Sequence, residues 1–363
     1  MNPNELLLKK TNHTALELAQ LLSASPGIET NRILDQGLAV KASTVGRKVY
    51  LRGLIELTNR CRKNCFYCGI RAGNQHAERY TLTDDEAIDC ARFAWEQGFG
   101  SLVIQTGELL GKEFARHIET LLKRIHSQTR AELTITLSCG EQPANVYRRW
   151  FEAGASRYLL RIETSNRKLF ETIHPSDSDH LWDDRIEALH NLRLAGFQVG
   201  TGVMIGLPGQ TIEDLANDLM FFKNMDVDMV GMGPYIEHVN TPLYERVTEL
   251  WPAEERFRIA LLMIALLRIN MPWINIAAST ALETLDPLGR QKGLLAGANV
   301  VMPNLTPVKY RKKYLLYNNK PNLDKDAALS AQSLSKVIDA IGEEICYHQP
   351  GNSLHFERRK SKP

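Results

Sequence analysis

The sequence predicts an α/β fold, a (β/α)8 barrel of the TIM type, from three observations. Short apolar runs recur along the chain, a helical pattern follows each of them, and the residues suited to chemistry fall just after the runs. The eight runs are VYLRGLIEL (49–57), SLVIQ (101–105), ELTITL (132–137), RYLLRIE (157–163), FQVGTGVMI (197–205), DMVGMG (228–233), INIAA (274–278) and ANVVM (298–302). Strands this apolar on both faces belong to a parallel sheet covered by helices, with right-handed crossovers between neighbours. Their number favours a closed barrel over an open doubly wound sheet.

Residues 1–45 read as an N-terminal helical extension. Charges interrupt the apolar residues of MNPNELLLKKTNHTALELAQLLSASPG, so this stretch lacks the core of a signal peptide. No run approaches the roughly 18 apolar residues that span a bilayer. A cytoplasmic protein with no membrane partner is expected. Lys plus Arg number 44 against 42 Asp plus Glu, which excludes the basic surface of a nucleic-acid binder and points to a small-molecule or protein partner.

Residues 46–305 hold the barrel. In TDDEAIDCARFAWEQGF, Thr83 and Glu86 have capping-box spacing, and Thr211 with Asp214 repeats it in TIEDLANDLMFFKNM. RVTELWPAEERFRIALLMIALLRI reads as an outer barrel helix with one apolar face. Residues 306–363 are expected to form a C-terminal cap and tail with a final helix near 328–344.

Three of the six cysteines, Cys61, Cys65 and Cys68, crowd into CRKNCFYC directly after the first run. In an intracellular chain such thiols are more often metal ligands or catalytic groups than disulfides. The spacing C-x3-C-x2-C lets a loop wrap an iron–sulfur cluster, and three protein ligands leave one iron of a four-iron cluster open. A zinc site with an open position is the other reading, although three thiolates with no nearby His is an unusual way to build one. Cys90, on an amphipathic helix, and Cys139 are expected to pack as small apolar residues.

The other strand ends carry further candidates. QTGE (105–108) closes the second run, SCGE (138–141) the third, and RIE (161–163) the fourth. Strand alternation places Arg161 and Glu163 on one face, and buried charges need partners or a ligand. GTGVMIGLPGQT (200–211) allows close backbone approach to a ligand but lacks the order G-x-G-x-x-G of a dinucleotide fold. No two histidines have metal-pair spacing; His238 is the one expected to face the lumen.

The cysteine pattern resembles the radical S-adenosylmethionine (SAM) superfamily, with Tyr67 at that motif's aromatic position. The resemblance implies one [4Fe–4S] cluster held by Cys61, Cys65 and Cys68, whose open iron binds SAM. It also implies a low-potential electron donor and reductive cleavage of SAM to a 5′-deoxyadenosyl radical. Gln105, Gly107 and Glu108 resemble the superfamily's Gly-Gly-Glu element, with Thr106 in place of the first Gly.

Longer stretches are similar to the HydE family of FeFe-hydrogenase maturases, related to biotin synthase and methylornithine synthase. They are YLRGLIELTNRCRKNCFYCGIR, RYLLRIETSN, MIGLPGQTIEDL, DMVGMGPYIEHVNTPL and AGANVVMPNLTPVKYRKKYLLY. This resemblance implies that Tyr67, Gln105, Gly107, Glu108, Ser138, Glu163, Arg185 and Met204 surround SAM. Thr136, Arg161, Ser279, Thr280 and Tyr310 would line the pocket of a small sulfur-containing, cysteine-bearing iron substrate. Other hydrogenase maturases become expected partners. Ile162 stands where some members have His, and Cys346 is the only cysteine beyond residue 305, so no accessory C-terminal cluster is expected. The alternatives are a methylornithine-synthase-like mutase, biotin-synthase-like sulfur chemistry, or a scaffold that hands metal to a partner.

Overall fold

The computed structural model describes residues 10–361. In chain order its strands are β1 (Lys48–Thr58), β2 (Ser101–Thr106), β3 (Thr134–Ser138), β4 (Ala155–Leu159), β5 (Gln198–Thr201), β6 (Met204–Ile205), β7 (Met229–Val230), β8 (Gly233–Pro234), β9 (Asn275–Ile276), β10 (Val300–Val301) and β11 (Glu344–Ile345). The main sheet runs β10-β1-β2-β3-β4-β5-β7-β9, and every neighbouring pair is parallel. Its two edges meet at a parallel bridge between Ala277 and Val300, where the N–H groups of Ala278 and Asn299 donate to Val300 O and Ile276 O, each at 2.9 Å. This closes the expected ring and leaves neither edge unpaired.

All eight apolar runs form strands, with two departures of physical interest. The fifth and sixth runs each break in two, so that β6 and β8 form a separate parallel pair above β5 and β7. At the break a Cβ on Gly202 would lie 1.8 Å from Gly231 O, so the two backbones come closer than side chains allow. The fourth run leaves the regular ladder after Leu159 and returns only as a bridge between Glu163 and Val203, with Glu163 in the left-handed region at φ 68°. A non-glycine residue held there is strained, which marks this strand end as a place of interest.

Both expected capping boxes form. The Glu86 N–H donates to Thr83 Oγ1 at 3.2 Å while Thr83 N–H donates back to Glu86 Oε2 at 3.0 Å, and Thr211 and Asp214 repeat the exchange. The long apolar helix begins only at Ala253, after Pro252, and is buried almost all round from Ile259 to Ile269. Its outer side is covered by the N-terminal helix Ile28–Thr44, where Gly37 permits the approach: a Cβ there would lie 2.8 Å from Ala265 Cβ. It is thus a core helix and not an outer one with a single apolar face.

The helix Ala327–Ala340 stops short of the expected end because Gly342 turns the chain at φ 71°, and β11 then pairs with the start of β1. It is not the final helix, since Leu354–Lys360 forms another beyond it. The tail continues across the N-terminal ends of the barrel strands. Arg157 donates to Pro350 O and Asn352 Oδ1, both at 2.6 Å, Asn275 donates to Gly351 O at 2.9 Å, and Ser353 N–H donates to Gln198 Oε1 at 3.0 Å.

Candidate active site

Pairing register places Glu56 of β1, Gln105 of β2 and Ser138 of β3 side by side near the C-terminal ends of their strands. Gln105, Ser138, Arg161, Met204, Ser279 and Thr280 stay partly accessible although the strands behind them are buried, so they border an open lumen. One layer deeper, Thr136 is fully buried, and its Oγ1, like Ser279 Oγ, has no hydrogen-bond partner in the protein. A buried hydroxyl without a partner costs free energy unless a ligand or water completes it.

Beside this lumen, Leu54, Thr280, Glu283, Arg290, Asn304 and Lys320 help line a cavity of about 240 Å³. Here the structure contains an ion pair that sequence reading missed: Lys320 meets Glu56, which is 1% exposed and also accepts from Asn304 Nδ2 at 2.9 Å. The rule that singles out Arg161 and Glu163, a charge within an apolar strand, applies equally to Glu56.

The cysteine loop leaves β1 at Thr58 and is tied down on all sides. Arg62 N–H donates to Glu108 O at 2.8 Å, Phe66 N–H to Ile173 O at 3.0 Å, and Gly69 N–H to Leu316 O at 2.9 Å. Gly107 is required beside it, since a Cβ would lie 2.2 Å from Arg60 O and 2.8 Å from Cys61 Cβ. All three thiols are free, and the Glu108 N–H points at Cys61 Sγ from 3.3 Å. Burial pushes every one of them up, Cys65 to about 12, and for Cys68 the other two thiols add to the shift. Thiols this costly to ionise alone fit a strongly cationic centre that shares their charge.

Among the described residues no three His, Cys, Asp or Glu side chains converge on a point where one metal ion would sit.

Charges packed against the loop form one network. Lys63, within the motif, pairs with Glu141 at 2.7 Å and Glu108 at 3.3 Å; Arg185 pairs with Glu141 and donates to Arg161 O; Arg62 pairs with Asp179 at 2.6 Å. Burial alone would raise Glu141, but Arg185 and Lys63 outweigh it and hold the carboxyl at about 2. Glu108 moves the other way, raised by burial and by Glu141. Arg161 lies against Glu163, its Nε 3.0 and 3.1 Å from the two carboxylate oxygens, and NH2 donates to Val203 O at 2.8 Å.

The structure therefore gathers Cys61, Cys65, Cys68, Tyr67, Gly107, Glu108 and Arg185 around the loop. Gln105, Ser138, Glu163, Met204, Thr136, Arg161, Ser279 and Thr280 lie along the lumen. It does not bring Tyr310 to them. That hydroxyl is directed to Glu86 at 3.1 and 3.2 Å, and the ring stacks on Tyr80 with centroids 4.8 Å apart. Tyr314, one turn on, is the buried tyrosine, and its hydroxyl has no partner in the protein. Cys90 and Cys139 are buried in the main core, as expected of packing residues. His238 is buried against Gly69 of the cysteine loop, where a Cβ would meet its ring at 2.5 Å.

A parallel (β/α)8 barrel with three neighbouring free thiols on the loop after its first strand defines a radical SAM enzyme. Residues 55–222 match the family model of the Radical SAM superfamily. The chain belongs to the HydE family within it, being 41% identical over 362 residues to the [FeFe] hydrogenase maturase subunit HydE of Thermotoga maritima, with 98% of this chain and 99% of that protein covered. It is also 27% identical to 3-methylornithine synthase of Methanosarcina acetivorans, covering 94% of this chain and 91% of that one. Among solved structures, methylornithine synthase (PylB) shares the fold with a TM-score of 0.80 at 22% identity, over 95% of this chain and 97% of that chain. Family membership implies a [4Fe–4S] cluster and SAM, a small-molecule substrate and a part in hydrogenase maturation. Among the described residues no helix is long and apolar enough to cross a membrane.

Proposed function

We propose that this radical SAM enzyme acts on a small, cysteine-bearing iron compound in assembly of the FeFe-hydrogenase diiron site. The observation that carries this reading is the near-full-length similarity to HydE. Cys61, Cys65 and Cys68 hold the cluster, and no accessory cluster joins it, since Cys346, whose N–H donates to Val49 O of β1, is the only cysteine beyond residue 305. When bound, the cluster supplies the electron that cleaves SAM to the 5′-deoxyadenosyl radical.

The chain's own residues supply position and isolation. Tyr67, Gln105, Gly107, Glu108, Ser138, Glu163, Arg185 and Met204 surround SAM, with Arg185 oriented by Glu141 and by the Arg161 carbonyl. Thr136, Arg161, Ser279 and Thr280 hold the substrate, and Tyr314 takes the part that the resemblance gave to Tyr310. The unpartnered hydroxyls of Thr136, Ser279 and Tyr314 offer donors and acceptors to polar groups of the ligand, and the closed barrel keeps bulk water from a reactive primary radical. The enzyme works in the cytoplasm with a low-potential electron donor and with other maturases.

The fold shared with methylornithine synthase favours one second reading, an amino-acid mutase. Anaerobic reconstitution with iron and sulfide, then assay for 5′-deoxyadenosine with an iron-bound cysteine or with lysine, separates the two. Stimulation by the iron compound is expected; stimulation by lysine alone would replace the maturase reading, and no SAM cleavage under strong reductant would end both.

A further inference from the structure

Two short helices, Thr280–Leu285 and Gly289–Ala296, form one side of the cavity beside the lumen. Glycines one turn apart let them meet. A Cβ on Gly289 would lie 2.2 Å from Leu282 O, and one on Gly293 would lie 3.0 Å from Leu282 Cδ1. Arg290, next to the first of these glycines, is thereby set against Thr280 and Glu283.

A chain of three contacts fixes the Arg290 side chain. Its Nε lies 2.8 Å from Glu283 Oε2, Glu283 Oε1 accepts from Asn322 Nδ2 at 2.9 Å, and Arg290 Nη2 donates to Thr280 Oγ1 at 3.2 Å. Asn322 reaches Glu283 from the C-terminal segment, where it stands in the left-handed region at φ 63° and its carbonyl accepts from Arg311 at 3.2 Å. Glu283 neutralises the guanidinium, so what Arg290 gives the pocket is direction and not charge.

A guanidinium only donates, whereas a hydroxyl has one proton and two lone pairs. Thr280 Oγ1 is therefore the acceptor in its contact with Arg290 and retains its own proton. Among the described residues no group of the protein accepts that proton. The hydroxyls of Thr136, Ser279 and Tyr314, which have no partner in the protein, are free to donate or to accept. Thr280 is set as a donor. An ionised carboxylate only accepts and an ammonium only donates, so a fixed donor distinguishes the two polar ends of an amino acid.

We propose that Arg290 is a positioning residue for substrate selection: by donating to Thr280 Oγ1 it holds that hydroxyl as a hydrogen-bond donor to a carboxylate oxygen of the substrate. This rests on the reading of the substrate as a cysteine-bearing iron compound held in part by Thr280. The carboxylate of that cysteine is the acceptor, and its amino group is turned away from Thr280.

The test is isothermal titration calorimetry of the reconstituted full-length protein with two probes, an iron-bound cysteine and an iron-bound cysteamine, which lacks only the carboxylate. Wild type should prefer the first. Arg290→Met should weaken the iron-bound cysteine about tenfold, the weight of one hydrogen bond to a charged group, and leave the iron-bound cysteamine nearly unchanged. Arg290→Lys, which keeps a donor for Thr280 and a charge for Glu283, should restore the preference. Thr280→Val should lose it as fully as Arg290→Met does, and combining the two should add nothing. Because Thr280→Val leaves the Arg290–Glu283 pair in place, it tests the same hydroxyl even where Arg290→Met lowers the thermal midpoint. Equal weakening of both probes by Arg290→Met, additive losses in the double variant, or a preference retained by Thr280→Val would overturn this proposal alone. Wild-type protein that binds neither probe would overturn the substrate reading and this proposal with it.

Discussion

The two ends of the barrel treat their buried arginines differently. At the C-terminal ends of the strands, Lys63, Arg185, Arg161 and Lys320 each face a carboxylate: Glu141, Glu163 or Glu56. At the N-terminal ends, Arg52 and Arg157 are fully buried with no carboxylate partner; backbone carbonyls of Pro350 and Gly351 and the Asn352 side chain accept from them. Burial lowers both guanidinium groups, and Arg52 adds to the effect on Arg157. The upper end keeps strong, directional charge beside accessible space, as a site that must orient an ionic ligand requires. The lower end uses charge to fasten a tail and has no open chemistry. Below, Arg52 and Arg157 are offered carbonyl and amide oxygens, and the one carboxylate buried there among these groups, Asp228 at the start of β7, pairs at 2.8 Å with Arg359 of the tail.

The largest effect should come from the upper end. Cys65→Ala should reduce iron content after reconstitution and bring SAM cleavage to background, while the thermal midpoint of the metal-free protein stays near wild type. A variant that still cleaves SAM would break the distinction between the two ends.

Glu141→Gln comes next. It leaves Lys63 and Arg185 without their shared carboxylate, and breaking a buried pair costs about 3–5 kcal/mol. Its pH signature is specific. The folded carboxyl titrates at about 2 against an ordinary 4.5, so its stabilisation is fully present above 4.5 and disappears as the pH falls toward 2. The variant should lose that portion of the acid-unfolding curve, measured by circular dichroism; an unchanged curve would remove Glu141 from the network.

At the lower end, Arg157→Met should cost about 1–3 kcal/mol by releasing the tail acceptors, read as a lower thermal midpoint. The cluster spectrum should not change. A changed spectrum would mean that the two ends are coupled. The smallest effect is expected for Tyr310→Phe, which loses a part-exposed hydrogen bond to Glu86 worth at most about 1 kcal/mol. SAM cleavage should be retained there and reduced in Tyr314→Phe; the reverse order would return Tyr310 to the pocket.

Much of this architecture is legible in the sequence because it rests on local pattern. Apolar runs became strands, Thr83 and Thr211 capped the helices they precede, and the cysteine loop fell where the barrel would carry it. The features that escaped depend on pairs far apart in the chain. Gly202 meets Gly231 only when the strands lie side by side, and Lys320 finds Glu56 across 264 positions. KYRKKYLLY contains Tyr310, Tyr314 and Tyr317, and periodicity alone does not say which faces inward. That depends on the short helix Val308–Arg311 and the stacking of Tyr310 on Tyr80.

The tail laid across the lower end has a kinetic meaning. Tyr347–Ser353 turn the barrel into a vessel with a single mouth, through which reactants and products share one route. Thr136 lies a layer below Ser138, so the molecule seated deeper is loaded first and discharged last. In such a vessel entry is a queue, and a molecule held at Thr136 passes the level of Ser138 both on its way in and on its way out.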